Sequence, residues 1–323
     1  LFHTPKAQSA RFRAMEWNVE NLYDTLHDVG FDDREFLPNA ERRWNTPRYF
    51  HKQSSLAKTI LAAGGLQPVD LVALCEVEND SVMHFLCHRT RLARLGYEYL
   101  VTHSADRRGI DVALLYQPET FALLHSETFR VPYDSLRERP TRDLLHAAGR
   151  LPFGDTLDVF VVHFPSRRGG ATLSEPYRLR AAGILRHLAD SIARRRHTPR
   201  LLAMGDFNDE PHNASVSRVL APTFAELTSH ATPLPAEGHD NIEGSYYFRG
   251  EWSRIDQILV SPALLSPTMK FHTTPQSVHL LAFPPLLEPL GRGTLSKPFR
   301  TYLGPFYHGG ISDHLPLCVD FSY

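Results

Sequence analysis

Short apolar runs recur along the chain without a polar alternation: Leu71–Leu74, Val112–Tyr116, Val159–Val162, Leu201–Met204 and Ile255–Val260. Such runs predict strands that are covered on both faces of the pleat. Phe12–Trp17 and Leu315–Val319 add apolar stretches near the two ends of the chain. Between them, Tyr49–Ala63 and Ser81–Leu95 mix apolar and polar positions at helical spacing, and Pro176–Arg196 is the longest such segment. That segment opens on Ser174-Glu175-Pro176, a cap followed by a first-turn proline. It closes on Arg194-Arg195-Arg196, where positive charge suits a helix C-terminus and reads as a solvated end. Residues 262–310 break the pattern, with Pro267, Pro275, Pro284, Pro285, Pro289, Pro298 and Pro305, and predict an irregular insertion before the last strand. Strands alternating with helices indicate an α/β or α+β protein with buried sheets.

Composition narrows this little but excludes some classes. The 323 residues are 42% hydrophobic and 22% charged, enough to build a core. A formal net charge of −1 excludes a protein that binds through a generally basic surface, while a local basic groove stays open. Arginine far outnumbers lysine, which suits bidentate phosphate recognition and equally follows from codon bias. Three cysteines, Cys75, Cys87 and Cys318, form neither a disulfide framework nor a zinc spacing. No apolar run reaches the roughly 18 residues of a membrane span. Residues 1–10 read as a tail or processing remnant; a small residue near a cleavage site leans towards export, and a cloning boundary gives the same start. Residues 11–323 are expected to form one domain and a monomer, with no protein partner indicated.

The chemistry collects where strands stop. Phe12–Trp17 runs into Asn18 and Glu20, Leu71–Leu74 into Glu76 and Glu78, Val159–Val162 into His163, and Leu201–Met204 into Gly205-Asp206-Phe207-Asn208-Asp209. Ser312-Asp313-His314 precedes the final apolar stretch. A single Asp or Asn at a strand end is usually a turn former. Five such clusters instead suggest a polar rim held by rigid strands around one site. Carboxylates, amides and two histidines without clustered cysteines suit a hard ion, Mg²⁺ or Mn²⁺. HExxH, GxSxG and GxxxxGK[ST] are all absent, which removes support for that zinc-protease class, serine hydrolases and P-loop nucleotide triphosphatases. Phosphate-ester hydrolysis needs the groups that remain.

Five motifs in order carry a resemblance: Trp17-Asn18-Val19-Glu20-Asn21-Leu22, Cys75-Glu76-Val77, Gly205-Asp206-Phe207-Asn208, Arg254-Ile255-Asp256 and Ser312-Asp313-His314-Leu315-Pro316. Together, over nearly the whole chain, they resemble the endonuclease/exonuclease/phosphatase superfamily with its deoxyribonuclease I-like fold. The resemblance implies an α+β sandwich of four layers, two packed and mainly antiparallel mixed sheets flanked by helices. It implies metal ligation by Glu76 with Asn18, Glu20 and Asp313 nearby. Asp206 would align or deprotonate the attacking water, and Asn208 would contact water or phosphate. His314 would donate to the phosphate oxygens with Asp256 orienting its ring. His163, in Val162-His163-Phe164-Pro165, is similar to the family's second active-site histidine. Cys75 stands where many relatives carry Gln and is expected to be a small buried residue. Glu78 is expected at the surface.

The resemblance leaves the substrate open. Arg108, Arg167, Arg168 and Arg300 lie beside the motifs and could each hold a phosphate, or form surface ion pairs. The aromatic residues Tyr302, Phe306 and Tyr307 could cap a pocket or pack the insertion down. The leading expectation is a Mg²⁺- or Mn²⁺-dependent phosphodiesterase acting on nucleic acid. The alternatives are a phosphomonoesterase or an inositol or lipid phosphate hydrolase, and a binding protein that has lost catalysis. Retention of Glu76, Asp206, Asn208, Asp256 and His314 argues against the last.

Overall fold

The computed structural model describes residues 11–133, 138–235, 241–291 and 295–323, so the expected N-terminal tail lies outside the described residues. In chain order the first elements are β1 (Arg11–Leu22), α1 (Thr46–Gly64), β2 (Leu71–Val77), α2 (Asp80–Arg89), β3 (Glu98–Val101) and β4 (Asp111–Tyr116). Then come β5 (Ala122–Phe129), β6 (Leu144–Arg150), β7 (Thr156–His163), α3 (Ala171–Arg195), β8 (Leu201–Asp206), β9 (Ala225–Glu226) and β10 (Thr232–Leu234). A hairpin of β11 (Tyr246–Phe248) and β12 (Glu251–Ser253) precedes β13 (Asp256–Val260) and β14 (Val278–Leu281). The short hairpins β15 (Leu287–Pro289) with β16 (Ser296–Pro298) and β17 (Tyr302–Leu303) with β18 (Phe306–Tyr307) lead to β19 (Leu317–Ser322).

Two mixed sheets result, ordered β10-β14-β19-β1-β2-β4-β3 and β5-β6-β7-β8-β13-β9. Only β1/β2 and β10/β14 in the first sheet and β7/β8 in the second run parallel among the described pairs. The pleat divides each buried strand between two cores. On β8, Leu202 and Met204 face the first sheet, while Leu201 and Ala203 pack under α3 against Ala182, Leu185 and Ala189. On β7, Val159 and Val161 likewise face inward, and Phe160 and Val162 face the helix. α1 covers the first sheet through Leu56, Ala57, Ile60 and Ala63. Continuous apolar runs are thus what a strand needs when both of its faces are covered.

The helix ends show where local signals failed. Asn79 caps α2 by accepting from the Val82 amide (3.2 Å), but Thr90 ends the helix and caps a separate turn, Arg91–Arg94. The expected helix Ser81–Leu95 is therefore two pieces. α3 starts five residues before Pro176, after Gly170, which holds φ 122°. The Arg178 guanidinium donates to the Ala171 carbonyl (2.9 Å) and to Ser174 Oγ (2.7 Å), which braces the first turn ahead of the proline. Arg196, read as part of a solvated end, instead forks onto the fully buried Asp158 (2.9 and 3.0 Å). The region 262–310 is less irregular than expected: β14 belongs to the first sheet, and Pro275 and Pro284 start single 3-10 turns. No helix among the described residues is long and apolar enough to cross a membrane.

Candidate active site

Cross-strand register builds one side of the site. His163 on β7 pairs with Asp206 on β8, and Asp206 pairs with Asp256 on β13, so three candidate side chains form a row across the ends of neighbouring inner strands. β1 and β2 of the facing sheet end at the same place. The Asn18 amide donates to Asp206 Oδ2 (3.0 Å), bridging the sheets, and its Oδ1 accepts from the Glu20 amide (3.0 Å). Ser312 donates to the Asn18 carbonyl (2.6 Å) and Trp17 Nε1 to the His314 carbonyl (2.9 Å), which docks the Ser312–His314 segment on β1.

The backbone is bent where these groups emerge. Ladder register shifts between Asn18 and Leu22 and again between Cys75 and Val77. Glu20, Asn21, Glu76 and Asn208 all take left-handed φ values of 50–65°. Non-glycine residues hold such angles only where surrounding contacts enforce them, and they concentrate at functional sites. Here the enforcing contacts are visible: Asn21 donates to Glu76 Oε2 (2.9 Å), and the Asn208 amide donates to Asp206 Oδ1 (2.8 Å).

The two histidines differ in charge. His314 Nδ1 donates to Asp256 Oδ2 (2.7 Å). Burial opposes the imidazolium, yet Asp256, then Asp313 and Asp206, hold its pKa well above the usual histidine value. His163 Nε2 lies 3.4 Å from Asp206 Oδ2, and its Nδ1 has no partner. Burial, with Arg142, Arg108 and His314 nearby, drives its pKa well below the usual value. Asp206 is pushed up to about 7 by burial and by Asp256, with His314 opposing. Asp256 also accepts from Ser245, and the Tyr246 ring sits 4.7 Å from that of His314.

The remaining carboxylates have distinct surroundings. Glu76 Oε1 is 3.7 Å from Arg108 Nη2, and its side chain is partly accessible. Asp313 accepts from Arg300 (2.7 Å). Glu20 accepts from the amides of Thr301 (2.7 Å) and Tyr302 (3.4 Å), with Arg300 Nε at 3.7 Å. Glu20 therefore braces the 300–302 segment more than it stands open as a ligand. Burial and Asp313 push it up to about 7, against Lys52 and Arg300.

Asp206, Asp256 and His314 bring ligand atoms within 4.8 Å of one another. A protonated His314 bonded to Asp256 has no free nitrogen lone pair on that side, so this trio reads as proton-handling machinery. Glu76, Asn18 and Asp313 carry oxygen donors of the kind a hard divalent cation takes, beside a buried excess of acidic groups that a cation would offset.

Several expectations need correcting. Glu78 is buried, accepts from the Asp24 amide (2.6 Å), and burial pushes it up to about 9. Arg167 donates to the Asn208 carbonyl (2.7 Å) and Asn213 Oδ1 (2.8 Å), so it supports the loop carrying Asn208 rather than standing free for phosphate. Arg168 is exposed beyond β7. Tyr302 packs inward on Phe36 and Trp44, whereas Phe306 is exposed. Cys75 is buried as expected, its thiol 3.3 Å from the Val162 carbonyl.

Sequence reasoning missed Lys52, Glu16 and Arg142. Lys52 is buried, donating to the Glu20 carbonyl and to Thr301 Oγ1 (2.8 Å); its signal was a cation on the apolar face of α1 between Tyr49 and Leu56. Glu16 is fully buried with neither oxygen partnered, and its signal was an acid inside an apolar strand. Burial, Asp256 and Asp206 hold it well above the carboxylate range. Arg142 donates to the Phe164 carbonyl (2.6 Å) behind His163.

A family model described as Endonuclease/Exonuclease/phosphatase family matches residues 14–322. No curated protein sequence matches the chain. An endonuclease/exonuclease/phosphatase family protein from Bacteroides thetaiotaomicron superposes with a TM-score of 0.61 at 14% identity, covering 98% of this chain and 99% of that one. The mannosyl-6-phosphatase Bt3783 of the same organism gives 0.61 at 14% identity, covering 97% and 100%. TDP2 from D. rerio, complexed with a single-strand DNA product, gives 0.58 at 16% identity, covering 97% and 100%. At these identities the structures establish the shared two-sheet fold, while the family match extends over nearly the whole sequence. The chain belongs to the endonuclease/exonuclease/phosphatase family.

Proposed function

We propose that this member of a family of phosphoester hydrolases cleaves a phosphodiester by in-line attack of water, with Mg²⁺ or Mn²⁺ as cofactor and nucleic acid as the leading substrate class. The observation that carries the reading is the convergence of Asp206, Asp256 and His314 at one end of the inner strands, opposite Asn18.

Asp206 is the group that takes the proton from water. Its carboxyl, pushed up to about 7, is matched to accepting a proton near neutral pH. Asn18 and the Asn208 amide fix its oxygens. Asn208 spends an N–H on the Phe164 carbonyl (3.1 Å), which leaves its Oδ1 to orient water. Cationic His314, held by Asp256, donates to phosphate oxygen as negative charge develops. Neutral His163, its Nε2 3.4 Å from Asp206 Oδ2, sits beside the base without adding a second positive charge. A bound Mg²⁺ or Mn²⁺, for which Glu76, Asn18 and Asp313 offer oxygens, polarises the phosphate and offsets charge in the transition state.

The test is an activity panel with Mg²⁺, Mn²⁺ or EDTA on supercoiled plasmid, bis-p-nitrophenyl phosphate, p-nitrophenyl phosphate and an inositol polyphosphate. Diester turnover that requires metal and disappears in Asp206→Ala is expected. Release of inorganic phosphate from monoesters alone would replace the diesterase reading with a phosphatase one. Silence on every substrate by a folded protein would overturn both.

A further inference from the structure

Between the β11–β12 hairpin and residues Leu290, Lys297, Pro298, Arg300 and Leu303 lies a cavity of about 320 Å³. Its lining includes Phe248, Arg249, Lys297, Leu303 and, on the side of the active site, Arg300 and Asp313. That volume is at the small end of ligand pockets, roughly 300–1,000 Å³. It suits a compact arm of a substrate.

Cations outnumber carboxylates in the lining. Arg300 is shared between Asp313 (2.7 Å) and Glu20 (3.7 Å), and Lys297 lies beside Glu288, which leaves Arg249 as the lining cation without an ion pair among the described residues. The Arg249 guanidinium lies over the half-exposed Phe248 ring, 5.1 Å from the centroid. The hairpin tip is tight, with φ of 51° at Arg249 and 95° at Gly250, so the arginine is presented from a defined turn. Lys297 is 3.3 Å from Glu288, but Glu288 also holds His308 (2.5 Å). Glu288 therefore keeps a partner when Lys297 turns to an anion.

We propose that this cavity is a subsite for a second phosphate of the substrate, held by Arg249 and Lys297 while the scissile phosphate sits beside Arg300. The inference rests on the phosphoester reading above and adds to it that the preferred substrate carries two phosphates on a compact scaffold. The second phosphate belongs either to a nucleotide or to a phosphorylated polyol, since the cations read the phosphate and not its carrier.

Equilibrium binding tests it without requiring turnover. Titration calorimetry would compare thymidine 3′,5′-bisphosphate with thymidine 5′-phosphate, and inositol 1,4-bisphosphate with inositol 1-phosphate, on the intact protein. The expected preference for at least one bisphosphate over its monophosphate is about tenfold, the scale of one charge-assisted contact. In Arg249→Gln and Lys297→Gln that ratio should fall towards one. General damage would weaken both members of a pair alike and leave their ratio unchanged. Equal affinity for every pair in the unmodified protein, or an undiminished ratio in both variants, would overturn the subsite. The pair that discriminates identifies the carrier. A protein that prefers a bisphosphate yet hydrolyses no phosphoester would overturn the catalytic reading and leave the subsite standing.

Discussion

His163 and His314 face a pair of register-matched aspartates in opposite protonation states. His163 Nε2 lies 3.4 Å from Asp206 and is held neutral by burial and neighbouring cations, whereas His314 is bonded at 2.7 Å to Asp256 and held cationic. Two imidazoles in one buried site are thus driven in opposite directions by their neighbours. Environments that push like groups apart are how acid and base roles are assigned.

Asp256→Asn removes the charge that keeps His314 protonated while preserving the size of the side chain. Burial is then opposed only by Asp313 and Asp206, and the His314 pKa falls. The expected loss in kcat is about 10²–10⁴-fold, the range for a mispositioned or wrongly protonated catalytic imidazole. Imidazole NMR titration of the variant checks the cause. A variant with unchanged kcat, or with His314 still cationic at neutral pH, would contradict the role given to Asp256.

Gly205 sits at φ 141° opposite Val162, and a Cβ there would lie 1.9 Å from the Val162 carbonyl oxygen. The neighbour is backbone of the paired strand and cannot step aside. Gly205→Ala should therefore cost at least about 3 kcal/mol in stability, a size reserved for strain of this kind. Urea unfolding would show the shift in midpoint; a change under about 0.5 kcal/mol, the range of an ordinary surface substitution, would refute the geometric argument.

Much of the site was legible because its motifs are local. An apolar run followed by an acid or amide survives in sequence as a strand end, which is why His163, Asp206 and Asn208 stood out before the fold was known. Partners contributed across the sandwich were not legible. Tyr246 reaches His314, and Lys52 reaches Glu20 and Thr301, over separations that no periodicity records. Glu78 failed for a different reason. Simple alternation places it on the same side as Glu76, but the bulge between Cys75 and Val77 shifts the phase and turns Glu78 inward. The edge strand β5, mostly exposed and carrying His125, Ser126 and Glu127, lacks the apolar run that marked its buried neighbours.

Glu78 carries a pH signature. Its carboxyl is raised from 4.5 to about 9 by burial, so between those values the folded chain holds a proton that the unfolded chain has released. Its contribution to stability is full below the unfolded pKa and is lost as pH rises through about 9. Glu78→Gln cannot ionise and keeps an oxygen for the Asp24 amide. In EDTA, the Tm of the variant minus that of the unmodified protein should therefore increase steadily across this window. Parallel Tm curves would show that Glu78 ionises in the folded state as readily as in the unfolded one.

Arg167 provides the sharpest separation between positioning and binding. Its guanidinium bonds the Asn208 carbonyl (2.7 Å) and Asn213 Oδ1 (2.8 Å), and lies 3.6 Å from Asp209, which Arg178 also holds at 2.7 Å. Arg167→Ala leaves the Arg178–Asp209 pair in place, so the fold should lose only about 1 kcal/mol, the worth of ordinary hydrogen bonds. The turn from Asp206 to Asn213 loses its outer brace, and Asn208 loses the support for its left-handed backbone. The expected result is a fall in kcat of about tenfold or more with little change in KM, because water alignment matters most in the transition state. Arg167→Lys should not restore it, since an ammonium cannot bridge two acceptors in the plane of a guanidinium fork. A raised KM at constant kcat would instead return Arg167 to the substrate phosphate.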